Sequence, residues 1–323
     1  MSASSRTRTW IGISGWTYDE WRGRFYPDGL PRTRQLAYAA RRFNSIELNG
    51  TFYSLKRPEH YRAWHDEAPS RFVYAVKGGR FITHDKKLRD IETPLANFFA
   101  SGVLLLGRKL GPIFWQLPAS ARYDAGRMER FFELLPQDTA AASALARRHD
   151  ERLTGRSRIT PVAAARIRHA IEVRHESFFT ESFVRLARRF GVAIITSDAA
   201  GWPAVEEVTA DFVYIRLHGH EQTYASKYDG DALAWWADRI RRWREGREPA
   251  DARRITDLKP PRRAHRDVYV YFDNDIDAHA PADAIALAGL VGADPEPAGP
   301  EAADGVIRPA PAASGSESRR APR

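Results

Sequence analysis

The chain has 323 residues, carries a formal net charge of +9 and contains no cysteine. Without cysteine it can form no disulfide framework, thiol nucleophile or thiolate metal site. No apolar run approaches the ~20 residues that a membrane-spanning helix needs, and the first residues lack the apolar stretch of a secretory signal. The composition therefore predicts a protein of the cytoplasm.

Eight short apolar runs rich in Val, Ile, Tyr and Phe recur along the chain, and nearly every one ends on a polar side chain. The runs end in turn at Ser14, Asn49, Lys77, Gln116, Arg174, Asp198, His218 and Asp273. Helical patterns separate most of the runs, which is typical of repeated βαβ units. Eight such units predict an α/β fold, a (β/α)8 TIM-like barrel, whose reactive residues lie where the strands end.

Between the runs, the pattern of apolar residues predicts helices over residues 31–43, 58–68, 88–106, 124–135, 180–190, 231–244 and 281–291. Asp124 suits an N-cap and Gly191 a C-terminal cap. Residues 200–210 are predicted to be weakly helical or irregular.

The domain organisation is predicted to be a single barrel over residues 10–292, after a flexible N-terminus at 1–9. Residues 139–168, rich in Ala and Arg, and 246–266, rich in Pro and Arg, interrupt the repeat and are predicted to be insertions or mobile loops. Residues 293–323 are too poor in apolar side chains to offset their ordering entropy, so we predict a disordered tail.

Strand side chains alternate between two faces, so residue parity predicts which of them enter the barrel. The predicted interior near the strand ends is strongly charged, holding Glu47, Glu172, Asp198 and Asp273 beside Lys77, Arg174, Arg216 and His218, with Ser14, Gln116 and Thr196. Buried charges cost several kcal/mol each unless they are paired. The pattern therefore indicates either a ligand site or a salt-bridge layer that only closes the barrel.

Glu47, Glu172 and His218 are the candidate catalytic residues. Two carboxylates in unlike environments can serve as acid and base, and an imidazole with a pKa near 6.5 suits proton transfer. The alternative for His218 is a structural hydrogen bond to Asp198 or Glu172.

The basic residues Lys77, Arg174 and Arg216 come from three different strand ends and could converge on one carboxylate or phosphate. The alternative for Arg174 is a simple pairing with Glu47 or Asp198. The full set of candidate substrate-binding residues is Ser14, Trp16, Asn49, Lys77, Gln116, Arg174, His175, Asp198, Arg216, Asp273 and Asn274. No Walker loop or GxGxxG turn is present, which disfavours a nucleoside triphosphate or dinucleotide.

Metal and sugar chemistry are weaker alternatives. Carboxylates and His218 supply metal-ligand types, but no HxH or HExxH spacing occurs, so we assign no metal site and the sequence requires no cofactor. If a metal were used, the oxygen-rich set would suit magnesium or manganese better than zinc. The two glutamates, with Trp16, Trp21 and Tyr18, would also suit a sugar-cleaving site.

Eight motifs give the chain a family resemblance. They are IGISGWTY at 11–18, FYPDGLP at 25–31, FNSIELNGTFY at 43–53, FITH at 81–84, WQLP at 115–118, EVRH at 172–175, DFVYIRLHG at 211–219 and YVYFDND at 269–275. Together they resemble the YecE-like family, domain of unknown function 72, over about residues 10–292. The resemblance implies a TIM-barrel fold and no established reaction; by analogy with barrel nucleases it suggests DNA as a substrate. Glu176 and Ser177 depart from the proline that relatives usually carry after His175.

The leading hypothesis is a hydrolase, or a related acid/base enzyme, acting on an anionic substrate such as a phosphoester or nucleic-acid fragment at the barrel mouth. Lys77, Arg174 and Arg216 would hold the anion, Glu47 or Glu172 would act as base, and His218 as acid. The alternatives are a non-catalytic barrel that binds nucleic acid or a small anion, and a glycoside hydrolase-like enzyme.

The net charge leaves nucleic acid open as a partner. However, 43 of the 50 basic residues are arginine, a bias that GC-rich codon usage also explains. We expect no membrane partner and predict no oligomeric state.

Overall fold

The computed structural model describes residues 8–293. The predicted tail and most of the predicted flexible N-terminus lie outside these residues. The described residues form a sheet of nine parallel strands: β1 Thr9–Ser14, β2 Ser45–Leu48, β3 Val73–Lys77, β4 Leu110–Gln116, β5 His169–Glu172, β6 Ala193–Ile194, β7 Thr196–Ala199, β8 Phe212–Gly219 and β9 Asp267–Phe272.

The strands close into a barrel that is broken at one point. Their order is β6-β5-β4-β3-β2-β1-β9-β8-β7, so the two edge strands are consecutive in the chain. Only Ile195 separates β6 from β7, and its backbone N–H donates to the carbonyl of Ile171 at 2.9 Å. The predicted α/β barrel is therefore confirmed, with the sixth predicted strand split in two.

Nine α-helices surround the strands of the described chain: α1 Gln35–Ala40, α2 Gly50–Tyr53, α3 Pro58–Glu67, α4 Glu92–Ala100, α5 Ala125–Leu134, α6 Thr139–Ala146, α7 Glu181–Phe190, α8 Gly230–Arg244 and α9 His279–Val291. The predicted caps are confirmed: Asp124 accepts from the N–H of Arg127, and Gly191 ends α7 at a φ of 63°. No helix within residues 8–293 is long and apolar enough to cross a membrane.

Two predicted helices differ from the structure. Residues 31–43 form a 3₁₀ turn followed by the short α1, and the helix predicted over 88–106 covers only α4 because Gly102, at a φ of 120°, reverses the chain. The Ala/Arg-rich segment 139–168, predicted to be an insertion or a mobile loop, begins with α6, which packs against α4. Its alanines supply both helix propensity and the close packing.

The barrel interior is apolar at its lower end and charged near the carboxyl ends of the strands. The lower interior is an apolar and aromatic cluster that includes Trp10, Phe114, Phe212 and Tyr269, with the rings of Trp10 and Tyr269 stacked 4.5 Å apart. Above it lie buried charged residues. The outward-facing residues of the strands pack instead with the helices in a single larger core. The site is therefore held between a rigid floor and the loops at the strand ends.

Gly12 shows how tightly the floor is packed. A Cβ at this position would lie 1.8 Å from the carbonyl oxygen of Ser45 on the neighbouring strand. We expect Gly12→Ala to lower the free energy of unfolding by about 3 kcal/mol, because β1 and β2 would have to separate. The control is Gly289→Ala on the exposed side of α9, where a Cβ meets nothing within 4 Å and should add about 0.5–1 kcal/mol. Urea unfolding of both variants would measure this difference, and equal effects would contradict it.

Candidate functional site

Arg216 lies at the centre of the buried charged layer and is 1% exposed. Its Nη1 donates to Glu172 Oε2 at 2.7 Å, and its Nη2 donates to Glu47 Oε1 at 2.8 Å and to Asp273 Oδ2 at 2.9 Å. Burial alone would lower the pKa of Arg216, but Glu47, Asp273 and Glu172 raise it well above its usual value. One guanidinium therefore links three carboxylates from three strands, and its donors are used inside the protein.

Glu47 is fully occupied by hydrogen bonds. Its Oε1 also accepts from Ser14 Oγ at 2.8 Å, and its Oε2 accepts from Tyr214 OH at 2.7 Å and from Arg216 Nε at 3.1 Å. Four donors on two oxygens leave this carboxylate no free site for a substrate proton. Glu47 therefore orients Arg216 and has no free acceptor site for a substrate.

Glu172 connects the buried layer to the barrel mouth. Its Oε1 accepts from Arg174 Nε at 2.6 Å, so the carboxylate bridges two guanidinium groups. Burial would raise the pKa of Glu172, but Arg216 and Arg174 hold it far below its usual value. A carboxylate so firmly ionised is a weak base.

Arg174 is held between Glu172 and an aromatic ring. Its Cζ lies 3.7 Å above the ring centre of Trp202. The ion pair uses only Nε, and within the described chain no contact occupies its Nη atoms. Arg174 therefore keeps donors that Arg216 has already used.

His218 is enclosed beside Asp273. Arg216 Nη1 contacts its Nε2 at 3.3 Å, and since a guanidinium can only donate, Nε2 accepts and Nδ1 carries the proton. Nδ1 lies 2.9 Å from Asp273 Oδ2. Burial would raise the pKa of Asp273, but Arg216 and His218 lower it. Both ring nitrogens of His218 thus face protein groups, but neither Asp198 nor Glu172, the partners predicted for a structural hydrogen bond, is among them.

A cavity of about 580 Å³ opens above the charged layer. Lys77, Lys56 and Asp273 bring charge to its wall, which is also lined by Trp16, Tyr18, Asn49, Tyr53, Trp64, Tyr224 and Asp275. The volume is typical of a small-molecule site.

Lys77 ends β3 and points into this cavity. Its Nζ lies 4.6 Å from the ring centre of Phe52 and 5.6 Å from that of Phe114. Among residues 8–293, no carboxylate lies within 4 Å of the ammonium and no acceptor bonds it. Burial, then Arg216, lowers the pKa of Lys77 to about 8.

Asp275 and Tyr18 line the same cavity. Burial, then the neighbouring Asp273, raises the pKa of Asp275, so this carboxyl favours its protonated form. Tyr18 donates its hydroxyl to the carbonyl of Ser14 at 2.5 Å, and burial followed by Asp275 raises its pKa as well. The cavity therefore combines a weakly acidic carboxyl with a lysine whose proton is easily lost.

Three predicted binding residues lie elsewhere. Asp198 is paired in register with Leu217 of the outer core and accepts from Tyr228 OH at 2.9 Å, so its assignment to the interior was wrong. The same register turns Thr196 outward and Ser197 toward the interior beside Arg216.

Asn274 and His175 are also engaged away from the cavity. Asn274 is buried and donates to Ser226 O and Asp283 Oδ2, both at 2.9 Å, which fixes the loop after β9. His175 caps a 3₁₀ turn: its Nδ1 accepts from the N–H of Ser177 at 3.0 Å. Both side chains hold loops in place, and the predicted direct contact with substrate does not fit these positions.

The other predicted residues are brought together as expected. Glu47, Glu172, Lys77, Arg174, Arg216, His218 and Asp273 form one layer, Ser14 bonds Glu47, Gln116 pairs in register with Glu172, and Trp16 and Asn49 line the cavity. Sequence reasoning missed Trp202, Tyr224 and Asp275 as members of the site, and it named Tyr18 only for the sugar-cleaving alternative. Only Asp275 had a signal, since it continues the alternation of residues 269, 271 and 273 beyond the strand.

The carboxylates are not arranged as metal ligands. Within residues 8–293, no three His, Asp or Glu side chains form a group that could hold a metal ion. The guanidinium of Arg216 stands where a cation shared by Glu47, Glu172 and Asp273 would have to bind. Because both glutamates share this one cation, they also lack the unlike environments that a sugar-cleaving pair needs.

A second cavity of about 350 Å³ lies beside the loop after β4. Its basic lining residues are Lys87, Arg122 and Arg127. Arg122 donates to His175 Nε2 at 2.8 Å and Arg127 pairs with Asp124 at 3.1 Å, so these two charges are engaged at the surface.

Comparison with known proteins places the fold and the motifs in one family. The family described as Protein of unknown function DUF72 matches residues 10–305. The UPF0759 protein YecE of Escherichia coli K12 is 30% identical over 111 residues, which span 34% of this chain and 38% of that protein.

Solved structures of this family have the same fold as the chain. A DUF72 family protein of Thermotoga maritima superposes over 88% of this chain and 99% of its own, with a TM-score of 0.60 at 18% identity. Another from Enterococcus faecalis covers 88% and 95%, with a TM-score of 0.61 at 13% identity. At these identities the likeness concerns the barrel fold. The match of the family over most of the chain shows that this protein belongs to the DUF72 family.

Proposed function

We propose that the mouth cavity binds a small anionic substrate and that the protein is an acid/base enzyme, of the hydrolase type, acting on it. The observation that carries the proposal is Lys77, a cation on the cavity wall that no carboxylate contacts within the described chain. A lysine in that position gains most by pairing with an anion that enters from outside. The cavity volume of about 580 Å³ favours a small molecule over a polymer.

The roles of the charged residues differ from those predicted from the alternation of strand side chains. Arg216 is saturated by Glu47, Glu172 and Asp273, so it would organise the site and leave the anion to others. The donors of the charged layer that remain are Lys77, which lines the cavity, and the Nη atoms of Arg174, which lies outside the cavity lining and shares Glu172 with Arg216. Glu172 fixes Arg174 at 2.6 Å, which reduces the entropy lost when that side chain binds an anion.

Asp275 is the proton donor in this proposal. Its raised pKa keeps the carboxyl protonated near neutral pH, so it does not repel an anion and can protonate a leaving oxygen. In this role it replaces His218, whose two nitrogens face Arg216 and Asp273.

Sulfate binding tests the anion site, because sulfate stays fully ionised across the pH range used. We expect Lys77→Met and Arg174→Met each to weaken sulfate binding at pH 7 at least tenfold by isothermal titration calorimetry. The control is Lys56→Met, which removes a charge from the rim of the same cavity and should change affinity less than threefold. An equal loss in all three variants would indicate a general charge effect and would contradict a specific site.

The pH dependence of sulfate binding has a defined sign. The lysine pKa lies near 8, so its charge is present below that value and is lost as pH rises through it. We expect wild-type affinity to fall between pH 7 and pH 9, and the Lys77→Arg variant to keep its affinity over the same range. A flat wild-type profile would contradict the role of Lys77.

A non-catalytic binding barrel is the second candidate, and the engagement of Glu47 and Glu172 favours it. Incubation with a panel of phosphomonoesters and carboxylic esters would separate the two functions. Product formed by wild type and lost in Asp275→Asn supports the enzyme. Sulfate binding without any product over long incubation supports the binding barrel.

A further inference from the structure

The surroundings of Lys77 are those of a reactive amine. The Nζ atom packs over the ring of Phe52 at 4.6 Å, with Phe114 on the other side at 5.6 Å. An aromatic face attracts the cation weakly but offers it no hydrogen-bond acceptor. The ionisable groups whose fields reach it are Arg216 on the positive side, and Glu172, Glu47 and Asp273 on the negative side; His84 also interacts with it, and burial lowers the pKa of that histidine.

These surroundings stabilise the neutral amine. Burial and the guanidinium of Arg216 oppose the ammonium form more strongly than the three carboxylates support it, so the pKa falls to about 8. An amine that is partly neutral at physiological pH, next to another cation and open to a cavity, is the usual form of a lysine nucleophile. A lysine that only closes a salt-bridge layer would instead contact a carboxylate.

We propose that Lys77 is an amine nucleophile and that the substrate is a small anionic aldehyde or ketone, which forms an imine with it. This inference rests on the proposed function in taking the mouth cavity as the anion site, and it goes further by naming the substrate class. Arg174 would hold the anionic group while the carbonyl carbon faces Nζ.

The chemistry balances without any oxidant or reductant. The lone pair on Nζ forms a C–N bond to the carbonyl carbon, the C=O π electrons move to oxygen, and a proton passes from nitrogen to that oxygen. The resulting carbinolamine then loses its oxygen as water, with one further proton taken from Asp275, and the C=N bond of an iminium forms. Addition of water reverses the sequence and releases the carbonyl compound.

The product of this step suits the charge of the site. The iminium carries the same single positive charge as the ammonium form of Lys77, so it restores the positive charge opposite Glu172, Glu47 and Asp273 that the neutral amine and carbinolamine lack. Asp275 is suited to give and regain the proton because burial holds its pKa above the usual range. Proton abstraction next to the iminium carbon would then be an acid/base reaction of the kind proposed above.

Reductive trapping with glyoxylate, a small anionic aldehyde, tests the proposal. The protein is incubated with glyoxylate and sodium cyanoborohydride at pH 7.5, and each of its seven lysines is followed by peptide mass spectrometry. We expect Lys77 to be alkylated at least ten times faster than Lys56, which lines the same cavity and is half-buried. Uncharged glycolaldehyde, normalised in the same way to Lys56, should show a smaller preference for Lys77.

Sulfate binding by the wild type, measured beside its labelling, separates this inference from the proposed function. In the Lys77→Arg control, arginine is not a nucleophile at this pH, so the adduct at position 77 disappears while Lys56 is labelled at its wild-type rate. Wild-type protein that binds sulfate but shows Lys77 labelled no faster than Lys56 would overturn the imine and leave the anion site standing. Failure of both sulfate binding and selective labelling would overturn both.

Discussion

Arg216→Met is expected to be the most damaging single substitution in the barrel. It leaves Glu47, Glu172 and Asp273 buried around an apolar side chain, and removing one partner of a buried ion pair costs about 3–5 kcal/mol. With three carboxylates involved, we expect a loss of at least about 4 kcal/mol at pH 7, a large part of the stability of an ordinary domain. Urea unfolding followed by circular dichroism would measure it.

The same variant should invert the pH dependence of stability. In the wild type, Arg216 holds the pKa of Glu172 and of Asp273 below their unfolded values, so their contribution is present at neutral pH and is lost as pH falls below about 4. Without the guanidinium, burial raises both pKa values, and protonation then favours the folded state. We therefore expect Arg216→Met to become more stable from pH 7 to pH 5.

The control for Arg216→Met is Arg239→Met. Arg239 is also buried, but its partners are Glu206 and the exposed Asp251, which can turn to solvent. It should cost less, since only the buried Glu206 loses its partner, and its gain on acidification should be smaller than that of Arg216→Met. If Arg216→Met does not fold at neutral pH, Arg216→Lys provides the measurement, with an intermediate loss expected. A stability of Arg216→Met equal to that of Arg239→Met would contradict the account.

Glu47→Gln is expected to be the second most damaging change. Glutamine offers one acceptor and one donor group where Ser14, Tyr214 and Arg216 supply four donated hydrogen bonds. Its amide NH₂ would face donors, and the charge opposite Arg216 would be lost, so we expect a cost of about 2–4 kcal/mol. Denaturant unfolding at pH 7 would check the value.

Glu172→Gln is the matched comparison for Glu47→Gln. Its oxygen can still accept from Arg216, while Arg174, which is 16% exposed, can turn toward solvent. We expect about half the loss seen for Glu47→Gln. A larger loss in Glu172→Gln would show that the bridge to the mouth, rather than the occupied Glu47, holds the layer together.

The fold could be predicted because the strands alternate clearly at most positions. Glu47, Glu172 and Arg216 enter the barrel, since each is flanked by apolar residues that must face the helices, and Asp273 continues the alternation after Phe272. The prediction failed at Asp198 for a physical reason. Ala193 and Ile195 face an apolar floor, so both faces of that strand are apolar and polarity does not indicate which side is inside.

The sequence predicts which strand residues form the site, but it does not predict the role of each one. Parity places Arg216 beside the carboxylates, but it does not show that its guanidinium uses its donors on three of them and on His218, nor that Lys77 contacts no carboxylate. Strand parity also makes no prediction for residues in loops. Trp202 holds Arg174 and Tyr18 lines the cavity, yet neither lies on a strand, so no alternation points to them.

A crystal structure of the protein soaked in selenate, whose anomalous signal identifies it, tests the central claim most directly. The account predicts an anion in the mouth cavity within about 3 Å of Lys77 Nζ and of an Nη atom of Arg174. It also predicts that the contacts between Arg216 and its three carboxylates stay unchanged. Selenate bound to Arg122 and Arg127 in the second cavity, with none at Lys77, would contradict it.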